Sequence, residues 1–290
     1  MEERKHTYGG AEEMLKYLAG CGLRSAVPAA SLLSEIGPFE EEIVRLAQEE
    51  RLTCLAGLPL ALLRRQVQQD DGADLWTQPL TDAIESNARM IAACKKFTDY
   101  LTEKEIRFTV LEDAVICRLF DWPAVPDLGS ADLLIDPERA EEAEAFLESE
   151  GYEIVNHPDV DLVMKNGGEM FRIRRRLRSL PNPGDVADYY EDIAVRLQEA
   201  DGSKVEQVLS QEDFYIYHIL YRYRHTSRRH PDLFTLAGIY QILTRGIGRS
   251  FDWEHVDAEL ETLGLTEFEA TCREQAMEAF EDRELREYEG

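Results

Sequence analysis

Apolar residues recur with a helical period through the first hundred positions, switch to short continuous or alternating runs after residue 106, and regain a helical period beyond residue 184. FEEEIVRLAQ (39–48) follows Pro38 with Ile43, Leu46 and Ala47 on one face, and residues 58–67 form a second periodic run that ends at Gln69-Asp70-Asp71-Gly72. Residues 81–102 predict one long amphipathic helix, with Ile84, Ala88, Ile91, Ala92, Lys95 and Tyr100 along it and no strict heptad. In the middle, IRFTVL, ADLLID, YEIV, DLVMK and EMFRIRRRL read as strands, and EDAVICRLF and PERAEEAEAFLESEG as helices. The order is β-α-β-α-β-β-β. Together these runs predict an α+β chain: a small mixed sheet over 105–180, flanked by helical regions over 1–104 and 181–290.

Punctuation supports these boundaries. Asp136 is placed to cap the helix of residues 137–150, Pro137 suits its first position, and Glu138, Glu141 and Glu142 sit near the positive end of its dipole. Asn166-Gly167-Gly168 is a hairpin signal between the last two strands. After the Pro181-Asn182-Pro183-Gly184 loop, helix is expected to the end of the chain. Ser210-Gln211-Glu212-Asp213 resembles a capping box before FYIYHILYRYRH, and Pro231, Gly246-Ile247-Gly248 and Gly264 separate later helices. The tail EAFEDRELREYEG is expected to be solvated.

Composition narrows the class. Of 290 residues, 44% are hydrophobic, enough for a packed core, yet no run reaches 18 apolar residues and MEERKHTYGG is charged where a signal peptide is apolar. A protein without a membrane span is expected, with the cytoplasm as its default compartment. Cys21, Cys54, Cys94, Cys117 and Cys272 form no CxxC pair and are odd in number, so they read as buried, reduced thiols.

The formal net charge of -26 opposes extended nucleic-acid binding unless positive charge is concentrated locally. It is: FRIRRRLR (171–178) holds Arg172, Arg174, Arg175, Arg176 and Arg178, and residues 214–231 hold Arg222, Arg224, Arg228 and Arg229, with no acid in either window. On a strand, Arg172, Arg174, Arg176 and Arg178 share one face, a row suited to bidentate phosphate contacts; pairing with surplus surface acids is the plainer reading. On a helix, Tyr217, Tyr221, Arg224 and Arg228 share a face, as do His218, Arg222 and His225. Stacking and phosphate contact compete there with a role for the tyrosines in the core. His218 and His225 lack a third ligand at metal spacing, and no Gly-rich phosphate loop, nucleophile elbow or Ser/His/Asp signature occurs.

DLGSADLLID (127–136) combines a small-residue turn, Gly129-Ser130, with a carboxylate, Asp132, at the entrance of an apolar strand. This stretch follows NARMIAACKKFTDYLTEKEIRFTVLED and precedes the hairpin into FRIRRRL and then LSQEDFYIYHILYRYRH. From about residue 85 to 243 that order and spacing resemble the uncharacterised nucleotidyltransferase family of the polymerase-β-like nucleotidyltransferase superfamily. The resemblance implies a nucleotidyltransferase core in the middle region. It further implies transfer of a nucleotidyl group from a nucleoside triphosphate to a hydroxyl acceptor, with two divalent ions held by three acids.

Several family positions are altered. Of the paired acids on the second strand, the first matches Ser130 and only Asp132 is acidic. The later acid matches Arg172 or its neighbours, the Leu-Lys-Gly step reads Leu111-Glu112-Asp113, and Arg224-His225 stands where Lys-His is usual. Three readings stay open. In the first, Asp132 and Ser130, with a replacement acid from Glu112, Asp113 or Glu169, hold one Mg2+ or Mn2+ for catalysis; Asp161 on the same hairpin is a further candidate. In the second, a catalytically degenerate relative binds a nucleotide or phosphorylated partner through Gly129, Arg172, Arg174, Arg176, Arg224 and His225. In the third, an interaction protein pairs its arginine row with acids of the N-terminal helices. The sequence names no acceptor.

Overall fold

Helices occupy the first hundred residues, as their apolar period requires: α1 (Ala11–Leu23), α2 (Leu32–Ile36), α3 (Glu40–Glu49), α4 (Thr53–Gln66) and α5 (Thr77–Glu103). The computed structural model describes residues 9–68, 75–156, 161–177, 189–190, 193–225, 231–245 and 247–280. Helix α3 buries Ile43, Val44 and Ala47 and places Glu40, Glu41 and Glu42 in its first turn, where the dipole favours them. Helix α4 starts earlier than its apolar run suggests, at Thr53, and contains Pro59. Proline has no N–H to return to the Leu55 carbonyl one turn back. That carbonyl faces α1 instead, so close to Gly22 that a Cβ there would lie 2.2 Å from the oxygen.

The long helix α5 buries Asn87, Met90, Cys94, Phe97 and Leu101, a different stripe from the expected one, and leaves Ile91 exposed. The polar member at the head of this stripe hides its period. Asn87 is buried because its amide serves the backbone: Oδ1 accepts from Leu128 N at 2.7 Å and Nδ2 donates to Pro126 O at 3.3 Å.

The middle region forms β1 (Phe108–Leu111), α6 (Asp113–Ile116), β2 (Ala131–Ile135), α7 (Ala140–Ser149), β3 (Glu153–Asn156), β4 (Asp161–Asn166) and β5 (Glu169–Arg174), in the expected order. The sheet runs β1-β2-β5-β4-β3, and only β2 and β5 are parallel. Gly167 takes φ +58 in the two-residue β4–β5 turn, which closes with Asn166 opposite Glu169. Alternation along the strands sends Phe108, Val110, Leu133, Ile135, Phe171 and Ile173 into a core shared with α5 and α7. Leu111, Asp132, Leu134, Arg172 and Arg174 lie on the other face, where Leu111 and Leu134 join the larger core built with the C-terminal helices.

Three expectations need correction. Helix α7 begins at Ala140, not at residue 137, because Asp136 Oδ1 accepts from Glu138 N at 3.1 Å and closes a turn ahead of the helix. The arginine row is shorter than a four-residue strand face, since β5 ends at Arg174 and the chain bends through 175–176. Helix is not continuous after residue 184, for β6 (Leu197–Glu199) and β7 (Gln207–Leu209) form a hairpin. Gly202 at φ +79 turns it, and Asp201-Gly202 was its available signal. This hairpin docks on the sheet edge, where Phe108 N donates to Val205 O at 3.2 Å.

Helices α8 (Gln211–His225), α9 (Leu233–Thr244), α10 (Trp253–Thr262) and α11 (Thr266–Phe280) complete the fold. Their caps follow the sequence. Ser210 Oγ accepts from Asp213 N at 3.0 Å, Asp232 caps α9 through Thr235 N, and Gly264 at φ +66 separates α10 from α11. The Pro181–Gly184 loop, Arg178, Arg228, Arg229 and the end of the acidic tail lie outside the described residues. All five cysteines are buried free thiols. No helix among the described residues is long and apolar enough to cross a membrane.

Gly22→Ala tests the α1–α4 crossing by sign. Helix propensity alone would stabilise alanine by up to about 1 kcal/mol, whereas the contact with the Leu55 carbonyl predicts a net loss of about 1–3 kcal/mol in urea unfolding.

Candidate functional site

Strand β1 delivers the chain to Glu112, which adopts φ 51 and ψ -130, a backbone region that strains any residue with a Cβ. The turn is held because the Glu112 carbonyl accepts from Val115 N at 2.9 Å and Ile116 N at 3.0 Å, opening α6. It sends the Glu112 side chain into the interior and Asp113 towards two arginines. Arg51 Nη2 lies 2.7 Å from Asp113 Oδ2, and Arg222 Nη2 donates to Asp113 Oδ1. Burial would raise the Asp113 carboxyl, but the guanidinium groups of Arg222 and Arg51 outweigh it and hold the carboxyl below its usual range.

Glu112 is the opposite case. Its Oε2 is 3.4 Å from His218 Nδ1 and 3.6 Å from Arg222 Nη2, and neither carboxyl oxygen makes a hydrogen bond among the described residues. Burial pushes its carboxyl well above the ordinary 4.5, more than the nearby Arg222 charge offsets. His218 is equally buried, and desolvation, with the charge on Arg222, pushes it well below 6.5. Burial thus favours the uncharged form of both.

On the adjacent strands, parallel pairing sets Asp132 beside Arg172, and Arg174 Nη2 donates to Asp132 Oδ2 at 2.9 Å. Burial raises the Asp132 carboxyl, and the nearby Arg174 and Arg172 charges partly oppose that rise. Helix α8 covers this face. Arg172 Nη1 donates to the Tyr221 hydroxyl at 2.9 Å, the Tyr221 ring stacks on His225 at 4.0 Å, and the guanidinium groups of Arg222 and Arg174 lie 5.4 and 6.0 Å from its centroid. The Tyr221 phenol is pushed up to about 12 by burial and the neighbouring Asp132 and Glu112.

The entrance to β2 is anchored from the N-terminal helices. Arg51 Nε and Nη2 donate to the Asp127 carbonyl at 3.0 and 2.7 Å, Asp127 N returns a bond to Arg51 O, and Thr53 Oγ1 donates to Asp127 Oδ2 at 2.7 Å. Ser130 is buried just before β2, while a Cβ on Gly129 would meet no atom within 4 Å, so the turn faces open space.

Thus Glu112, Asp113, Asp132, Arg172 and Arg174 come together, with His225 at the rim and Arg224 half-exposed one residue before it. Arg176 is exposed beyond the end of β5, and its neighbour Arg175 pairs with Glu144 of α7. Glu169 lies apart, at the hairpin end of β5, where it accepts from the Tyr152 hydroxyl at 2.8 Å and lies 3.8 Å from Arg89 Nε. Asp161 pairs in register with Arg174, its side chain outside the described residues. Arg51, His218 and Arg222 are members that sequence reasoning did not place in the site. Arg222 carried a signal in its acid-free island; Arg51, 62 positions before Asp113, carried none.

These residues do not fit a pair of divalent ions. Among the described residues no three His, Cys, Asp or Glu side chains converge as ligands, Asp132 is already paired with Arg174, and Asp113 with two arginines. Four guanidinium groups (Arg51, Arg172, Arg174, Arg222) face three carboxyls (Glu112, Asp113, Asp132), so even with all three ionised 4 - 3 leaves an excess of positive charge. Such a cluster repels cations and attracts anions.

A family described as uncharacterised nucleotidyltransferase matches residues 39–281. Two solved structures are similar in part. One, a solution structure of the antibiotic-resistance factor ANT(2'')-Ia, is 15% identical and covers 61% of this chain and 93% of that one at a TM-score of 0.44. The other, a crystal structure of ANT(2'')-Ia in complex with adenylyl-2''-tobramycin, is 14% identical and covers 63% and 94% at a TM-score of 0.36. Among curated proteins nothing matches this chain.

The buried Glu112–His218 pair makes stability depend on pH in a defined way. Above 4.5 the folded state keeps a proton on Glu112 that the unfolded chain loses, so the contribution of Glu112 falls as pH rises, until its carboxyl ionises. Below 6.5 the unfolded chain takes a proton on His218 that the folded state resists, so the contribution of His218 falls as pH drops. In Glu112→Gln the alkaline limb is expected to vanish and the acid limb to extend up to 6.5, read as the difference between two urea-unfolding series. Arg174→Ala, which leaves the Asp132 carboxylate buried without its ion-pair partner, is expected to cost about 3–5 kcal/mol in the same assay at neutral pH.

Proposed function

This chain belongs to the uncharacterised nucleotidyltransferase family, and from that membership we propose that it binds a nucleoside triphosphate or another phosphorylated ligand on its guanidinium cluster, without a divalent ion. The observation that carries this reading is the Arg174–Asp132 pair: at the position where the family resemblance implies a metal ligand, the carboxylate is bonded to a fixed cation. Guanidinium groups replace the charge that two dications supply to a triphosphate, and their planar forks match phosphate oxygens. Arg172 and Arg174 are only partly buried and reach the ligand, Arg224, His225 and Arg176 extend the positive rim, and Gly129 leaves room beside it. The buried Arg222 and the partly buried Arg51 position Asp113 instead. The stacked Tyr221–His225 pair offers an aromatic face for a base. A compact ligand suits this arrangement better than a long polyanion, because the chain as a whole carries -26.

One observation keeps the second reading, nucleotidyl transfer to a hydroxyl acceptor with Mg2+ or Mn2+, in view: Asp132 retains its place at the start of β2. That reading requires Arg174 to leave Asp132 and further acids to approach it. Ser130 would then sit beside the reacting phosphate. The pairing of the arginine row with acids of the N-terminal helices has less support, since Arg172, Arg174 and Arg175 engage Tyr221, Asp132 and Glu144.

Thermal stabilisation by a panel of nucleoside triphosphates and inorganic pyrophosphate, with EDTA or with Mg2+ or Mn2+, separates these readings. The expected result is a shift of the unfolding midpoint in EDTA that shrinks as salt rises and is lost in Arg172→Ala. A shift that needs metal and disappears in Asp132→Asn supports the transferase instead, and no shift under any condition overturns both.

A further inference from the structure

On the far side of α6 from the arginine cluster lies a cavity of about 160 Å3. It is bordered by β1, the turn after α6, β7, the start of α8 and the end of α9, is open to solvent on one side, and has none of Glu112, Asp113, Asp132, Arg172, Arg174, Tyr221 or Arg222 in its wall. Aliphatic and aromatic side chains dominate that wall, Val115, Leu119, Val208, Phe214, Ile242 and Ile247 among them, beside the neutral polar Thr109, Ser210 and Gln211. Arg118 and Glu206 also line it; their charged ends lie 3.7 Å apart and their side chains are 56% and 29% exposed, which places them at the mouth. We propose that this cavity is a binding site for a compact, neutral, single-ring aromatic molecule with one hydrogen-bonding group.

Three features set that ligand class. First, volume: drug-sized ligands occupy pockets of about 300 Å3 or more, whereas an apolar cavity near 150 Å3 takes a molecule the size of benzene. Second, polarity: an ion entering a wall of this kind loses hydration that valine, leucine and isoleucine side chains do not replace. Third, the mouth carries opposite charges that cancel. It therefore selects neither sign, while the Glu206 carboxylate and Arg118 guanidinium still accept from and donate to a hydroxyl or ring N–H.

The cavity shares two elements with the arginine cluster. Helix α6 carries Asp113 on one side and Val115 on the other, and one turn of α8 separates Phe214 in the cavity wall from His218 beside Glu112. Their rings stack at 6.2 Å. A ligand in the cavity thus packs against the supports of the charged site without touching it. The proposal does not depend on what that site binds.

Methyl-resolved NMR of the full chain, titrated with phenol and separately pressurised with xenon, tests the site. Saturable shifts confined to the methyl groups of Val115, Leu119, Val208, Ile242 and Ile247 are expected with both probes. In Val208→Phe and Ile247→Phe, each checked for cooperative thermal unfolding, the added ring fills the space and the shifts should be lost. Shifts that fail to saturate, that spread over other surfaces, or that persist in a folded filling variant overturn the proposal. The phenol titration of the unaltered chain decides the matter even where neither variant folds.

Discussion

A carboxylate on a buried sheet face has to be neutralised, and the identity of its neutralising partner governs this site. Here that partner is Arg174, on the strand that pairs in parallel with the one bearing Asp132. Parallel register fixes the distance, because Asp132 sits beside Arg172 and the long Arg174 side chain reaches back to it. Once that pair forms, a dication at the same oxygen meets a permanent positive charge a few ångströms away. The surrounding groups follow the same logic. Asp113 is held in its charged form because it lies between Arg51 and Arg222, whereas the Glu112 carboxyl is raised because burial outweighs the pull of Arg222.

This electrostatic arrangement is tied to the fold from both sides. The N-terminal helices contribute Arg51, which bonds both Asp113 and the Asp127 carbonyl and so links α6 to the entrance of β2. Asn87 of α5 holds the same entrance from the opposite direction. The C-terminal region contributes α8, whose consecutive turns present Phe214, His218, Arg222 and His225 along the sheet face. Strain at Glu112 is tolerated because its carbonyl opens α6 and its side chain is enclosed by α8. The net positive site inside a strongly acidic chain is therefore a product of packing three regions together.

Much of the architecture was legible in the residues. The strand and helix order of the middle region, the Gly167–Gly168 turn, the Ser210 cap and the buried state of the cysteines all follow from local rules, and the structure has each of them. Where reading failed, a tertiary partner had overridden the local signal. The α5 stripe was misassigned because its buried members include Asn87, a polar residue that satisfies a distant backbone. Helix α7 starts late because Asp136 bonds within the preceding turn and pairs with Arg107. The β6–β7 hairpin is faint in the sequence although Asp201-Gly202 marks its turn, since three-residue strands leave almost no period to detect.

The site divides in the same way. Sequence by itself determined which charged residues were available: Asp132 at a strand entrance, Glu112 and Asp113 after β1, and arginines concentrated near Arg174 and Arg222. These are local facts of order and composition. Only the tertiary structure decided which charges meet, that Arg174 takes Asp132 while Glu169 stays at the other end of its strand, and that Arg51 arrives from far along the chain. The physical reason is that an ion pair depends on separation and dielectric, and both are set by packing between elements that no local pattern encodes.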